Sequence, residues 1–122
     1  MKLGRRQRCA ICGAAHKSKP VSTEEIGCES CSSTWRAQAI CRAILCGLGY
    51  PEDANIRFIN NDLSRVGLGI SDDWRLARAL SPLFAYTNSF LHQFPVVDIC
   101  SPPQQAIGKF EFISCSDVLE HT

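Results

Sequence analysis

The chain has 122 residues, 45% of them apolar and 20% charged, a balance that suits one ordinary domain or two small ones and excludes wholesale disorder. Net charge is only +1 but unevenly spread: residues 1–42 hold eight Lys/Arg against three Asp/Glu, net +5, and residues 43–122 hold five against nine, net −4. No apolar run approaches the roughly 18 residues of a membrane span.

At the start, "MKLGRRQR" passes straight into "CAICG" without the apolar core of a secretory signal, so the sequence reads as cytoplasmic. In that compartment thiols stay reduced, and the eight cysteines point to metal ligands or core residues before disulfides. "CAIC" and "CESC" place Cys9, Cys12, Cys28 and Cys31 in a C-x2-C-x15-C-x2-C pattern, the spacing of a closed structural zinc site. Each pair presents two thiolates from one tight knuckle, and Gly13 after the first is suited to the left-handed turn that aims backbone N–H groups at sulfur. A thiol-redox pair is the weaker alternative. His16 either substitutes as a ligand or lies in the exposed loop "AAHKSKPVS".

Four thiolates around a dication leave a charge of −2, which Arg5, Arg6, Arg8, Lys17 and Lys19 offset. Nucleic-acid binding by this basic front is the less favoured reading, because it lacks interleaved aromatic residues for base stacking. So short a segment buries little apolar surface, and metal binding would supply much of its folding energy.

"SSTWRAQAICRAILCGLGYP" predicts a helix capped by Ser32, Ser33 or Thr34, with Trp35, Ala39, Ile40, Ala43 and Ile44 on its apolar face and Gly47, Gly49 and Pro51 closing it. Cys41 and Cys46 read as small core residues of that helix.

Further on, "NIRFIN" (55–60) is expected as a strand. "GLGISDDWRLARALSPLF" reads as a glycine turn and a helix capped by Ser71 or Asp72, its inner face formed by Trp74, Ala77 and Leu80. "FPVVDI" (94–99) and "KFEFISCS" (109–116) are expected as two more strands, buried on both faces of a parallel sheet. This is α/β order, in which ligands bind at the carboxyl ends of the strands. "GLGISD", Asp98 and Ser114 to Asp117 fall where those ends should be. Asp98 either meets a ligand there or caps the turn before "SPP"; Glu120 and His121 read as surface residues.

"KFEFISCSDVLEHT" resembles the class I S-adenosylmethionine-dependent methyltransferases, in which a sheet strand of Phe-Asp-aliphatic type leads into a helix beginning Leu-Glu-His. "VVDI" looks like the end of their preceding strand, and "GLGISDDWRLARALSPLFAYTNSFLHQFPVVDI" is similar to a bacterial subgroup with Gly-Leu-Gly-x-Ser-Asp and Tyr-Thr-Asn segments. The amino-terminal cysteine pairs resemble a zinc-ribbon lead-in. The resemblance implies an α/β fold with a partial Rossmann-like sheet at 50–122, preceded by a zinc-ribbon-like module with its helix at 1–49. It further implies S-adenosylmethionine as small-molecule cofactor, Asp98 and Ile99 at the adenine, and Gly67, Gly69 and Ser116 along the cofactor; no catalytic residue or methyl acceptor is singled out.

The acidic-x-Gly-x-Gly-x-Gly loop of most members is not in this sequence, and the later strands of their sheet do not follow "LEH". The chain is therefore expected to be an amino-terminal fragment with little activity alone, the alternative being a non-catalytic zinc-binding interaction module.

Overall fold

Two stretches of chain with different stabilising chemistry form two units, Met1–Ile59 and Asn60–Thr122. The computed structural model describes residues 8–15, 26–90, 92–98, 100–102, 104 and 107–115.

In the first unit, two antiparallel bridges, Arg8 with Ala15 and Ile26 with Thr34, close the two cysteine turns. Helix α1, Trp35–Gly47, follows at once. Of the three candidate caps, Thr34 takes the position: its hydroxyl accepts the Ala37 N–H at 3.1 Å, satisfying one of the orphan donors of the first turn. At the other end Gly49 adopts φ +92°, and the N–H groups of Gly49 and Tyr50 donate to the carbonyls of Cys46 and Leu45, each at 3.0 Å. This paired closure needs a left-handed residue that glycine supplies without strain.

The buried face of α1 is Ala37, Gln38, Cys41, Ile44 and Leu45, not the expected stripe through Ala39 and Ala43, which are exposed. Close approach to the cysteine turns decides the rotation. Cys41 Sγ donates to the Ala10 carbonyl at 3.7 Å and Gln38 Nε2 to the Ser33 carbonyl at 3.5 Å, while the Trp35 ring lies over Gly27.

The expected strand at 55–60 is instead a 3-10 turn, Ile56–Phe58. Its backbone is used to close the first cysteine turn, Ile56 N–H donating to Ala10 O at 2.9 Å, so no strand partner is engaged. Arg42 staples the same region with bonds to the carbonyls of Glu52 (2.8 Å) and Arg8 (2.9 Å).

The second unit is a parallel three-stranded sheet of order β2-β1-β3, from β1 Asp62–Ile70, β2 Phe84–Ser89 and β3 Phe112–Cys115. Helix α2, Trp74–Leu80, joins β1 to β2. Its cap is Asp73, whose side chain accepts the Arg75 N–H, one residue beyond the expected Ser71 or Asp72. Leu76 and Leu80 are buried and Trp74 is 58% exposed, so the inner face is turned from the expected one. The third expected strand is found at 112–115, within the expected 109–116.

Two further expectations are corrected. "GLGI" is not a turn but the buried end of β1. In "FPVVDI" the described residues 94–98 are not a sheet strand: they make one bridge, Val96 with Phe90, and Pro95, which has no N–H to donate, contributes only its carbonyl to Phe90 N at 2.8 Å. The missing strand lies earlier, in "FAYTNS", where Thr87, Asn88 and Ser89 disguise the buried Phe84 and Tyr86.

Register explains the glycines. Gly67 pairs with Tyr86 on one side and Phe112 on the other, and Gly69 with Asn88 and Ser114. With no Cβ on the central strand, Tyr86 and Phe112 stack across it, ring centres 6.3 Å apart and planes within 8°, and Phe84 meets Phe112 edge-on at 5.6 Å. Among the described residues, no helix is long and apolar enough to cross a membrane.

A Cβ at Gly67 would overlap the Phe112 ring, whereas one at Gly47 meets nothing. Gly67→Ala is expected to cost about 1–3 kcal/mol of stability by overpacking, with Gly47→Ala near neutral, measured as denaturant midpoints followed by near-ultraviolet circular dichroism.

Candidate functional site

The two cysteine turns are built alike. In the first, Gly13 N–H donates to Cys9 O (2.9 Å) and Cys9 N–H to Ala14 O (2.8 Å); in the second, Ser32 N–H donates to Cys28 O (2.9 Å) and Cys28 N–H to Ser33 O (3.3 Å). The residue four after the leading cysteine is left-handed in both, Gly13 at φ +82° and Ser32 at φ +62°. The second turn therefore carries a strain of about 1–2 kcal/mol that the glycine of the first avoids.

These turns bring Cys9, Cys12, Cys28 and Cys31 together, every pair of sulfur atoms within 4.8 Å. Cys9 and Cys31 sulfurs are 3.8 Å apart and those of Cys12 and Cys28 3.5 Å. A tetrahedron with metal–sulfur bonds of about 2.3 Å has edges of about 3.8 Å, so the cluster has the size and donor set to hold a thiophilic dication. Cys9 and Cys28 are buried, Cys12 and Cys31 half-buried, and Ile11 N–H points at Cys9 Sγ from 3.4 Å.

Burial pushes the Cys12 thiol up to about 12; the Ala14 N–H opposes this and the Cys28 thiol adds to it. A bound dication would displace these thiol protons, because it supplies the positive charge that stabilises the thiolates. Cys41 stays outside this set: burial, then the nearby Cys9, raises its thiol to about 12, and it spends its proton on Ala10 O. Cys46, expected in the core, is exposed because it lies on the outer side of α1. Arg8 is used locally, donating to Gly13 O at 3.0 Å. Arg5, Arg6, His16, Lys17 and Lys19 lie outside the described residues.

At the carboxyl edge of the sheet a second polar group converges on Asp72. Tyr86 Oη of β2 donates to Asp72 Oδ2 at 2.5 Å, and the Ser114 hydroxyl of β3 donates to the same oxygen. The Asn88 amide clips the Asp72 backbone, accepting its N–H (2.9 Å) and donating to its carbonyl (3.1 Å). Asp72 thereby ties the end of the central strand to both neighbours. Its Oδ1 is buried with no hydrogen-bond partner among the described residues. Burial outweighs the two hydroxyls and holds the carboxyl above its ordinary value, with Asp73 adding repulsion; the Tyr86 phenol is pushed up by burial and by this carboxylate.

Of the positions expected from sequence, Gly69 and Ser114 meet at this edge around Asp72. The space beside Gly67 and Gly69 is filled by Phe112, Tyr86, Asp72 and Asn88 side chains. Asp98 is not in this group: its Oδ1 accepts Cys100 N–H at 2.9 Å and its carbonyl accepts Ser101 N–H at 3.1 Å, closing the turn before Pro102. Ile99, Ser116, Asp117, Glu120 and His121 lie outside the described residues. Sequence reading missed Tyr86 and Asn88 as partners of the site; the signal available was their spacing of two in "YTN", which sets both on one face of a strand.

On the opposite sheet face an open apolar groove runs between Leu68, Ile70 and Ile113 and the segment of Val97, Pro102, Ile107, Gly108 and Phe110.

Because the folded state holds the Asp72 proton more tightly than the unfolded chain, this group contributes most below about pH 3.9 and the contribution is lost as pH rises through its raised value. Asp72→Asn, which cannot ionise, is expected to gain stability relative to the parent as pH rises from about 4 to 7, read from urea midpoints of both proteins across that range. A constant difference between the two would contradict this.

No family model, no curated protein and no solved structure matches the chain.

Proposed function

We propose that the first unit is a structural zinc module and that the second carries the first strands of a Rossmann-like, class I S-adenosylmethionine-dependent methyltransferase sheet. The convergence of four sulfurs within 4.8 Å supports the zinc assignment; four thiolates close the coordination sphere, so the metal organises the fold and has no open position for catalysis. The methyltransferase reading rests chiefly on the place of β1. It runs between β2 and β3, all parallel, so the strand of "GLGIS" and the strand of "FISC", the two segments carrying the resemblance, are direct neighbours ending at one polar edge. S-adenosylmethionine would supply an activated methyl group there. Asp98 is the residue proposed to accept hydrogen bonds from the adenosyl portion; one carboxylate oxygen is engaged by its own turn.

A second reading, a non-catalytic zinc-binding interaction module, is favoured by a specific observation. Phe112 and Tyr86 occupy the space over the two glycines, so neither offers the bare backbone that an approaching cofactor needs.

Elemental analysis is expected to give one zinc per chain, lost in Cys28→Ser. Chelation should remove the helical circular dichroism of α1, since metal binding and folding of so small a unit are one equilibrium. Calorimetry with S-adenosylmethionine separates the two readings of the second unit. Binding by the zinc-loaded chain that disappears in Asp98→Ala is the methyltransferase outcome; no heat of binding from a folded, zinc-loaded chain is the outcome of the module.

A further inference from the structure

We infer that Ser33 is a positioning residue of the metal centre, its hydroxyl donating to the Cys31 thiolate with the Cys9 thiolate also within reach. The inference rests on the zinc reading of the cluster and goes beyond its four ligands. Ser33 is fully buried. Its Oγ lies 3.1 Å from Cys31 Sγ and 3.7 Å from Cys9 Sγ, so one hydroxyl spans a ligand from each cysteine turn. Those sulfurs are its only hydrogen-bond partners among the described residues.

A buried hydroxyl without a partner costs about 1–3 kcal/mol, so this one is held in place by the sulfurs it serves. Its backbone leaves little freedom to turn away: the Ser33 carbonyl accepts from Gly27 N (2.9 Å), Cys28 N (3.3 Å) and Gln38 Nε2 (3.5 Å). Nor is the hydroxyl needed by the helix, because Thr34 is the cap.

The chemistry follows from charge. Four thiolates and a dication carry −2, and thiolate sulfur is an acceptor only, so in the metal-bound centre the hydroxyl is the donor. Its proton withdraws electron density from Cys31 and fixes the orientation of that sulfur, as groups around the ligands of metal sites commonly do. Cys31 is one of the two half-buried ligands, so the shielded donor sits behind a ligand that solvent can reach.

The test uses the whole chain loaded with Co²⁺, whose sulfur-to-metal charge-transfer band reports thiolate electron density. Ser33→Ala is expected to weaken metal affinity by about tenfold and to move that band to lower energy. Thr34→Ala, which loses the helix cap but leaves the sulfurs untouched, should weaken affinity without moving the band. In wild-type chain loaded with ¹¹³Cd, the Ser33 hydroxyl proton should be protected from exchange and coupled to the metal, a reading that needs no variant to fold. Wild-type affinity and band position in Ser33→Ala, an equal band shift in Thr34→Ala, or no coupled hydroxyl proton would each overturn the assignment. Failure of the wild-type chain to bind Co²⁺ at all would instead remove the metal reading on which it stands.

Discussion

Four sulfur atoms within 4.8 Å of one another are the constraint on which the first unit depends. Left as thiols they are poor hydrogen-bonding groups packed in a small interior, and left as thiolates they repel; the arrangement becomes favourable when a dication sits among them. The local structure is arranged around this need. Two equivalent turns aim the sulfurs inward, bridges pin the ends of those turns, and α1 presses Cys41 and Gln38 against their carbonyls. The 3-10 turn at Ile56–Phe58 completes the enclosure through Ala10 O. Little of this is a hydrophobic core in the usual sense, which fits a unit too small to be held by apolar burial alone.

The second unit depends on a different constraint, the absence of side chains at Gly67 and Gly69 on one face of the carboxyl-terminal half of β1. Gly67 and Gly69 let the flanking strands reach over the central one, so that aromatic stacking and a carboxylate network replace the side-chain layer that β1 does not provide. The arrangement has a cost at Asp72. One carboxylate oxygen is doubly served by Tyr86 and Ser114 and the other is buried without a partner among the described residues, an imbalance of the kind that gathers at functional edges rather than in inert cores. Its place after the end of β1, beside the ends of two parallel strands, is where α/β sheets place their ligands.

Much of the first unit was legible in sequence because its signals are local. The C-x2-C spacing, the glycine after the first pair, a cap within Ser32 to Thr34 and the Gly49 closure each act within a few residues. The rotation of α1 was not legible, because Ala39 and Ala43 are as apolar as Ala37 and Cys41 and only contact with the cysteine turns distinguishes them. Ser33 was one of three adjacent cap candidates; which of them faces the sulfurs depends on how the second turn enters the helix. In the second unit the order of strand and helix could be read, but two of the three strand positions could not. "FAYTNS" hides a buried strand behind polar residues, and "FPVVDI" displays an apolar run that Pro95 and the Phe90 bridge divert into a turn.

By itself, then, the sequence determined the four-cysteine set, the helix after it with its glycine closure, and an α/β order in the remainder, since each follows from spacing or composition over a short window. Tertiary structure alone decided that "GLGI" is a central strand and not a loop, that Tyr86 and Asn88 join Asp72 and Ser114 at one edge, and that the Ser33 hydroxyl meets the sulfurs of Cys31 and Cys9. The reason is physical: parallel pairing joins residues 19 to 45 positions apart in the chain, from Gly69 with Asn88 to Ile70 with Cys115. Such partners are selected by packing across strands, which no local pattern records.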